Sequence, residues 1–161
     1  MSVQQDISDP EPSSAEIEFE AYTLLRQVNS MLETYNRYDL RSEELTVPQF
    51  MILTYATPDG VPLSALSSRM RCDNSNLTGI VERLISKGYV ERRPDPQDRR
   101  VSLICLSPAG ADKLRRIKPR HHARVSRRMR SLAPSEVTQL HNLLQTLFQG
   151  LQYEPASDPA E

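Results

Sequence analysis

A chain of 161 residues that is 38% hydrophobic and 25% charged fits one soluble globular domain and can bury a core of its own. It has no run near the roughly 18 to 20 apolar residues that a membrane span needs, no basic-then-apolar leader, and only two cysteines, Cys72 and Cys105, with no CxxC. No membrane association, secretion, disulfide scaffold, metal or cofactor is therefore expected, and the expected location is the cytoplasm.

The net charge of -1 says little, but its distribution is uneven. Residues 1–46 hold ten acidic side chains against three basic ones, and residues 87–130 hold fourteen basic against four acidic. Such a basic excess is either a solvated helix face or a surface for a polyanion.

Residues 1–14 carry Asp, Pro, Ser and Glu without an apolar period and read as a disordered acidic tail; residues 155–161 read the same way. Ile17, Ala21, Leu24, Val28, Met31 and Tyr35 then recur at steps of three and four, one face of a long helix over about 15–40. Thr46 is a good N-cap and Pro48 is tolerated in a first turn. A second helix starts there, carries Phe50, Ile52 and Leu53, and ends at Pro58-Asp59-Gly60. Ser64 is placed to cap a short helix with Leu66 and Met70 inside. Arg71-Cys72-Asp73-Asn74 is turn chemistry. The next helix puts Leu77, Ile80, Val81, Leu84 and Ile85 on one stripe and ends at Gly88, where a left-handed cap is expected. Two short helices joined by a tight turn make a helix-turn-helix.

Residues 89–93 and 101–106 read as strands around PDPQDRR, a link too long for a two-residue hairpin and too polar to be buried. A hairpin with a basic tip directly behind a helix-turn-helix is a wing. Ser107 and Pro108 open a long basic helix to about residue 131, and Pro134 opens the last one. There Val137, Leu140, Leu144, Leu147 and Leu151 again step by three and four, widened by Leu143 and Phe148. The expected fold is mainly α with a small β-hairpin wing, in the α+β sense: a winged helix-turn-helix over about 46–106 within a single domain spanning 15–154. The flanking helices, about 15–40 and 107–153, either complete one core or bury a two-fold interface.

The second helix of such a motif enters the major groove, its N-terminal residues at base edges. Its outward positions here are Ser75, Asn76, Thr78, Gly79, Glu82 and Arg83. Asn can pair with adenine and Arg with guanine, while Ser and Thr suit either bases or phosphates. Gly79 lets the backbone come close. A small, uncharged polar patch is unusual for a solvated helix face, which favours Glu, Lys and Arg. Ser64 and Asn74, at the starts of the two helices, and Asp98, Arg99 and Arg100, at the wing tip, complete the candidate DNA-binding set. Arginine suits the enhanced negative potential of a narrow minor groove. Asp98 is placed to hold the Arg100 guanidinium; the alternative is a solvated turn whose ion pair adds little stability.

The stretch DNSNLTGIVERLISKGYVERRPDPQDRRVSLICLSPAG resembles the core of the multiple-antibiotic-resistance regulator (MarR) family. The matching pieces are Ser75-Asn76-Leu77-Thr78-Gly79, the exit Gly88-Tyr89-Val90, the wing signature Asp98-Arg99-Arg100, and Leu106-Ser107-Pro108-Ala109-Gly110, with Ser where Thr is commoner. The resemblance implies a homodimer built from the terminal helices, a recognition helix starting near Asn74, and a minor-groove contact by Arg100 supported by Asp98. It implies a regulator of transcription on double-stranded DNA with a pseudo-palindromic operator, most members being repressors relieved by a small ligand, often a phenolic or other aromatic acid, or by thiol oxidation. A pocket between the first two helices and the basic helix, near Tyr35, Tyr38, Phe50 and His121, is the expected effector site.

Two other classes compete. An enzyme would draw on Cys72, Cys105, His121, His122 and His141, but no HxxxH, CxxC or HExxH spacing occurs. A winged-helix protein-interaction module without DNA fits the fold but not the arginines of the wing. Cys72 stands near the start of the recognition helix, where a dipole can lower a thiol pKa, or it simply fills the turn.

Overall fold

The computed structural model describes residues 12–153. The tails expected at 1–14 and 155–161 lie outside the described residues, except for positions 12–14. The first helix, α1 (Ser14–Arg41), begins in a capping box: the Ser13 hydroxyl accepts from the Glu16 N–H, and Glu16 accepts from the Ser13 backbone N–H at 2.7 Å. That backbone hydrogen bond, then the Ser13 hydroxyl, holds the Glu16 carboxyl below its ordinary pKa. The box therefore supports the helix start above the ordinary carboxylate range, and this support is lost as pH falls through the lowered value. Thr46 and Gln49 form a second box at the start of α2 (Val47–Tyr55), with Pro48 in its first turn.

A two-residue strand, β1 (Val61–Pro62), follows; it was not expected, because two residues carry no period. It leads directly into α3 (Leu63–Met70), whose N-cap is Pro62. Ser64 therefore lies inside the first turn and does not cap the helix. After the turn comes α4 (Asn74–Ser86), then β2 (Val90–Pro94) and β3 (Ser102–Leu106). The strands form an antiparallel sheet in the order β1-β3-β2, with Val61 opposite Ile104 and Arg92 opposite Ile104 on the other side. The helix α5 (Pro108–Arg128) runs into a 3-10 turn at Met129–Ser131, so the expected helix to 131 tightens in its last turn. It also tolerates Pro119 in its interior, a position without an N–H to donate. The last helix is α6 (Pro134–Tyr153).

The chain forms two compact units, 1–111 and 112–161. The first holds the winged helix-turn-helix. Its core is built from Ile52 and Leu53 of α2, Leu66 of α3, Leu77, Val81 and Leu84 of α4, and Val90 and Ile104 of the sheet, each at most 1% exposed. Burying side chains of this size stabilises by about 1.5 to 3 kcal/mol each. In the second unit, α6 leaves Leu143, Leu147, Phe148 and Leu151 exposed. In the first, α1 does the same with Phe19, Leu24, Val28 and Met31.

The strand-to-helix junction behind the wing is tight. The Ser107 hydroxyl donates to the Gly88 carbonyl at 2.6 Å and accepts from the Gly110 N–H at 3.0 Å. A Cβ on Gly110 would overlap the Tyr89 carbonyl oxygen and press on Leu106. The measurement that checks this is urea unfolding of Gly110→Ala. A loss of about 1 to 3 kcal/mol is expected, despite Ala's better helix propensity.

Candidate nucleic-acid interface

The period of α4 divides it into two faces. Leu77, Ile80, Val81 and Leu84 are buried, so Ser75, Asn76, Gly79, Glu82 and Arg83 are turned to the outside, with Thr78 half-buried at their edge. Asn74 opens the helix; its side chain lies outside the described set. Asp73 occupies the N-cap position but makes no side-chain cap bond. A helix N-terminus offers N–H groups and the positive end of its dipole to an anion. Among the described residues nothing lies within 4 Å of a Cβ built on Gly79, so this position is open to a close approach.

The helix ends as expected. Gly88 is left-handed (φ +69), its N–H donating to Ile85 at 2.8 Å and the Tyr89 N–H to Leu84 at 3.0 Å. This pair of bonds is a Schellman ending. It turns the chain straight into β2, so the wing grows from the end of the recognition helix. Arg92 of β2 reaches back to Glu82 of α4 at 2.9 Å, the two side chains 37% and 55% exposed.

The wing tip is ordered by two aspartates. The Asp95 carboxylate accepts from the Gln97 N–H at 2.7 Å, and the Asp98 carboxylate from the Arg100 N–H at 3.0 Å. The Asp98 carbonyl accepts from Val101 at 2.8 Å. Asp98 thus fixes Arg100 through its backbone, an Asx turn, and not through its guanidinium as the spacing implied. Arg99 and Arg100 are exposed on this turn. Ser64 is also exposed, in the first turn of α3.

Two basic side chains of the helix-turn-helix, Arg69 and Arg71, were not in the expected set. Arg69 lies over the Tyr55 ring at 5.8 Å, and Arg71 sits in the α3–α4 turn with a left-handed backbone (φ +47). The only available signal was the cluster of arginines on either side of Met70. Cys105 is buried in β3, where a side chain on Gly60 would meet its sulfur. Cys72 is half-buried in the turn, its carbonyl accepting from the Ser67 hydroxyl at 2.5 Å.

Of the expected effector residues, Phe50 is buried, Tyr35 and Tyr38 are 47% and 79% exposed on α1, and His121 belongs to the second unit. A cavity of about 550 Å³ lies between the last turns of α1 and the start of α2, lined by Glu33, Arg37, Arg41, Leu45, Val47 and Pro48 among others.

A β2–β3 wing behind a helix-turn-helix, with a small polar outer face on α4 and an arginine tip, defines a winged-helix DNA-binding protein. The family model for MarR matches residues 45–102, from the start of α2 to the first residue of β3. The transcriptional repressor NicR of Pseudomonas putida is 32% identical over 108 residues, covering 62% of this chain and 68% of NicR. The crystal structure of CouR from Rhodococcus jostii RHA1 bound to p-coumaroyl-CoA is 28% identical with a TM-score of 0.71, covering 86% of this chain and 95% of CouR. A mutant MarR from E. coli complexed with operator DNA is 25% identical with a TM-score of 0.72, covering 84% and 99%. The chain belongs to the MarR family and is a DNA-binding transcription regulator. Among the described residues no helix is long and apolar enough to cross a membrane.

Gly79→Ala separates folding from reading. In a solvent-facing helix the change stabilises by up to about 1 kcal/mol. If DNA approaches here, operator affinity should nonetheless fall. Thermal melting and a binding titration on one preparation should therefore move in opposite directions.

Proposed function

We propose that this protein is a cytoplasmic homodimeric repressor that reads a pseudo-palindromic operator through α4 and the wing and is released by a small aromatic acid. The observation that carries the reading is the small, uncharged exposed patch in the first turns of α4, Ser75, Asn76 and Gly79, beside an aspartate-ordered arginine tip. Its work is binding, without catalysis.

In this reading Asn76 and Thr78, with Asn74, Ser75 and Arg83, meet base edges in the major groove. Gly79 admits the DNA backbone, and Ser64 donates to a phosphate at the edge of the motif. Arg100, held by Asp98, enters the minor groove with Arg99 beside it, reading width and A·T character rather than a unique base. The two arginine roles separate in a salt titration. Arg100→Ala should weaken all sites, most strongly those with A·T-rich flanks, and reduce the salt slope by about one unit per subunit. Asn76→Ala should instead narrow the gap between operator and random DNA, by about 1 to 3 kcal/mol per lost contact. If Arg100→Ala changes neither affinity nor slope, the wing is not a DNA contact.

The dimer is supported by what each outer helix exposes. Phe19 is 71% exposed and Leu24 59% on α1; on α6 the figures are 61% for Leu143 and 53% for Phe148. Contiguous apolar faces of this kind call for cover. A second copy of the chain supplies it, and a two-fold then sets two recognition helices about one DNA turn apart, roughly 34 to 36 Å. Sedimentation should show a dimer at micromolar concentration. Changing Leu144 and Leu147 together to Asp should leave a monomer or an unfolded chain, while a monomeric wild type would contradict the reading.

For the effector, the α1–α2 cavity has the volume of a small-molecule site and walls from Leu45, Val47 and Pro48. Arg37 and Arg41 offer guanidinium groups to a carboxylate. The structurally similar CouR binds an aromatic acyl thioester.

A further inference from the structure

Both α1 and α4 end in the same motif, and the two endings are joined. At the end of α1 the Leu45 N–H donates to the Leu40 carbonyl at 3.2 Å and the Glu44 N–H to Arg41 at 3.1 Å. This is again a Schellman ending, but its left-handed position is filled by Glu44 (φ +56) where α4 uses glycine. A non-glycine residue there is strained. At the end of α4 the carbonyls of Arg83, Leu84 and Ile85 are all taken by following N–H groups. The Lys87 ammonium is therefore not needed to finish its own helix. It crosses 43 positions of sequence and donates to the Glu44 carbonyl at 2.5 Å.

We infer that Lys87 is a positioning residue for the recognition helix: its ammonium pins the far end of α4 to the α1–α2 turn and so sets the angle at which the near end meets bases. The inference rests on the base-reading role proposed for α4. Apolar packing alone leaves helix angles loose by tens of degrees between proteins, so a polar pin at the exposed end has something to decide. From Asn76 to Lys87 the helix is about 16 Å long, at 1.5 Å per residue. A tilt of about 4° about the pinned end displaces Asn76 by about 1 Å, enough to break a hydrogen bond to a base edge. The Glu82–Arg92 pair ties the same helix to the wing from the other side. Loss of Lys87 alone therefore loosens the angle without freeing the helix. Glu44 also lines the α1–α2 cavity, so whatever fills that cavity presses on the residue that holds α4.

The test compares Lys87→Met, which keeps the aliphatic stem and removes the donor, with Glu44→Gly, which keeps the carbonyl and suits the left-handed turn. Titrations on operator and on random duplex over a range of salt are read beside thermal melts. For Lys87→Met the expectation is an unchanged melt, operator affinity lower by about tenfold (the size of one mismatched base pair), and unchanged random-DNA affinity and salt slope. Glu44→Gly should keep wild-type operator affinity. A Lys87→Met loss that falls equally on both DNAs, with a shallower salt slope, would make Lys87 a phosphate contact and overturn the inference. So would a neutral Lys87→Met, or a Glu44→Gly that loses as much. A wild type that does not distinguish operator from random DNA would instead remove the base-reading role beneath it.

Discussion

Everything on the reading surface depends on the burial of four side chains, Leu77, Ile80, Val81 and Leu84. Seated against α2, α3 and β2, they leave α4 one rotational setting in which its apolar stripe is dry. The polar residues between them then have no choice of direction. Turning the helix by one residue, about 100°, would put Asn76, Gly79 and Arg83 in the core and turn Leu77 and Val81 toward water. The chemistry of the exposed face is thus set by the core, and the face can vary in sequence without costing the fold.

The wing extends the same logic. A Schellman ending reverses the chain at Gly88 and starts β2 immediately, so wing and recognition helix share a root. The sheet is completed by β1, whose two residues tie the segment ahead of α3 to β3. The arginines at the tip owe their placement to aspartate carboxylates that accept backbone N–H groups. Neutral hydrogen bonds and apolar contacts carry the framework. The charges are left at its edge, where long-range attraction to phosphates is useful and desolvation is small.

What could be read from the sequence follows the range of the physics involved. The helices were legible because their stripes, the cap at Thr46, the stop at Gly88 and the Ser107-Pro108 start are all local signals. The face of α4 was legible for the same reason: one period of 3.6 sorts Leu77 and Val81 from Ser75 and Gly79. The strand β1 was not, since Val61 and Pro62 become a strand only by pairing with residues some forty positions on. Ser64 was misassigned as a cap because that strand already places Pro62 at the cap position. The spacing of Asp98 and Arg100 showed that the two meet, but not that the carboxylate takes the amide. The left-handed Glu44 and its bond to Lys87 were invisible, glycine being the usual sign of such a turn. Aromatic residues near a junction pointed to a pocket, whereas the residues along the α1–α2 cavity, such as Arg37, Arg41, Leu45 and Val47, are charged or aliphatic and carry no such signal.

The most direct measurement of the central claim, that the outer face of α4 reads major-groove edges, is a set of operators with single purines replaced by their 7-deaza analogues. The analogue keeps Watson–Crick pairing and removes only the N7 acceptor, which lies in the major groove. Two clusters of weakened binding, symmetric about the operator centre and about one helical turn apart, are the predicted result. Binding that is indifferent to every substitution, while still preferring operator over random DNA, would contradict the account and move recognition off α4.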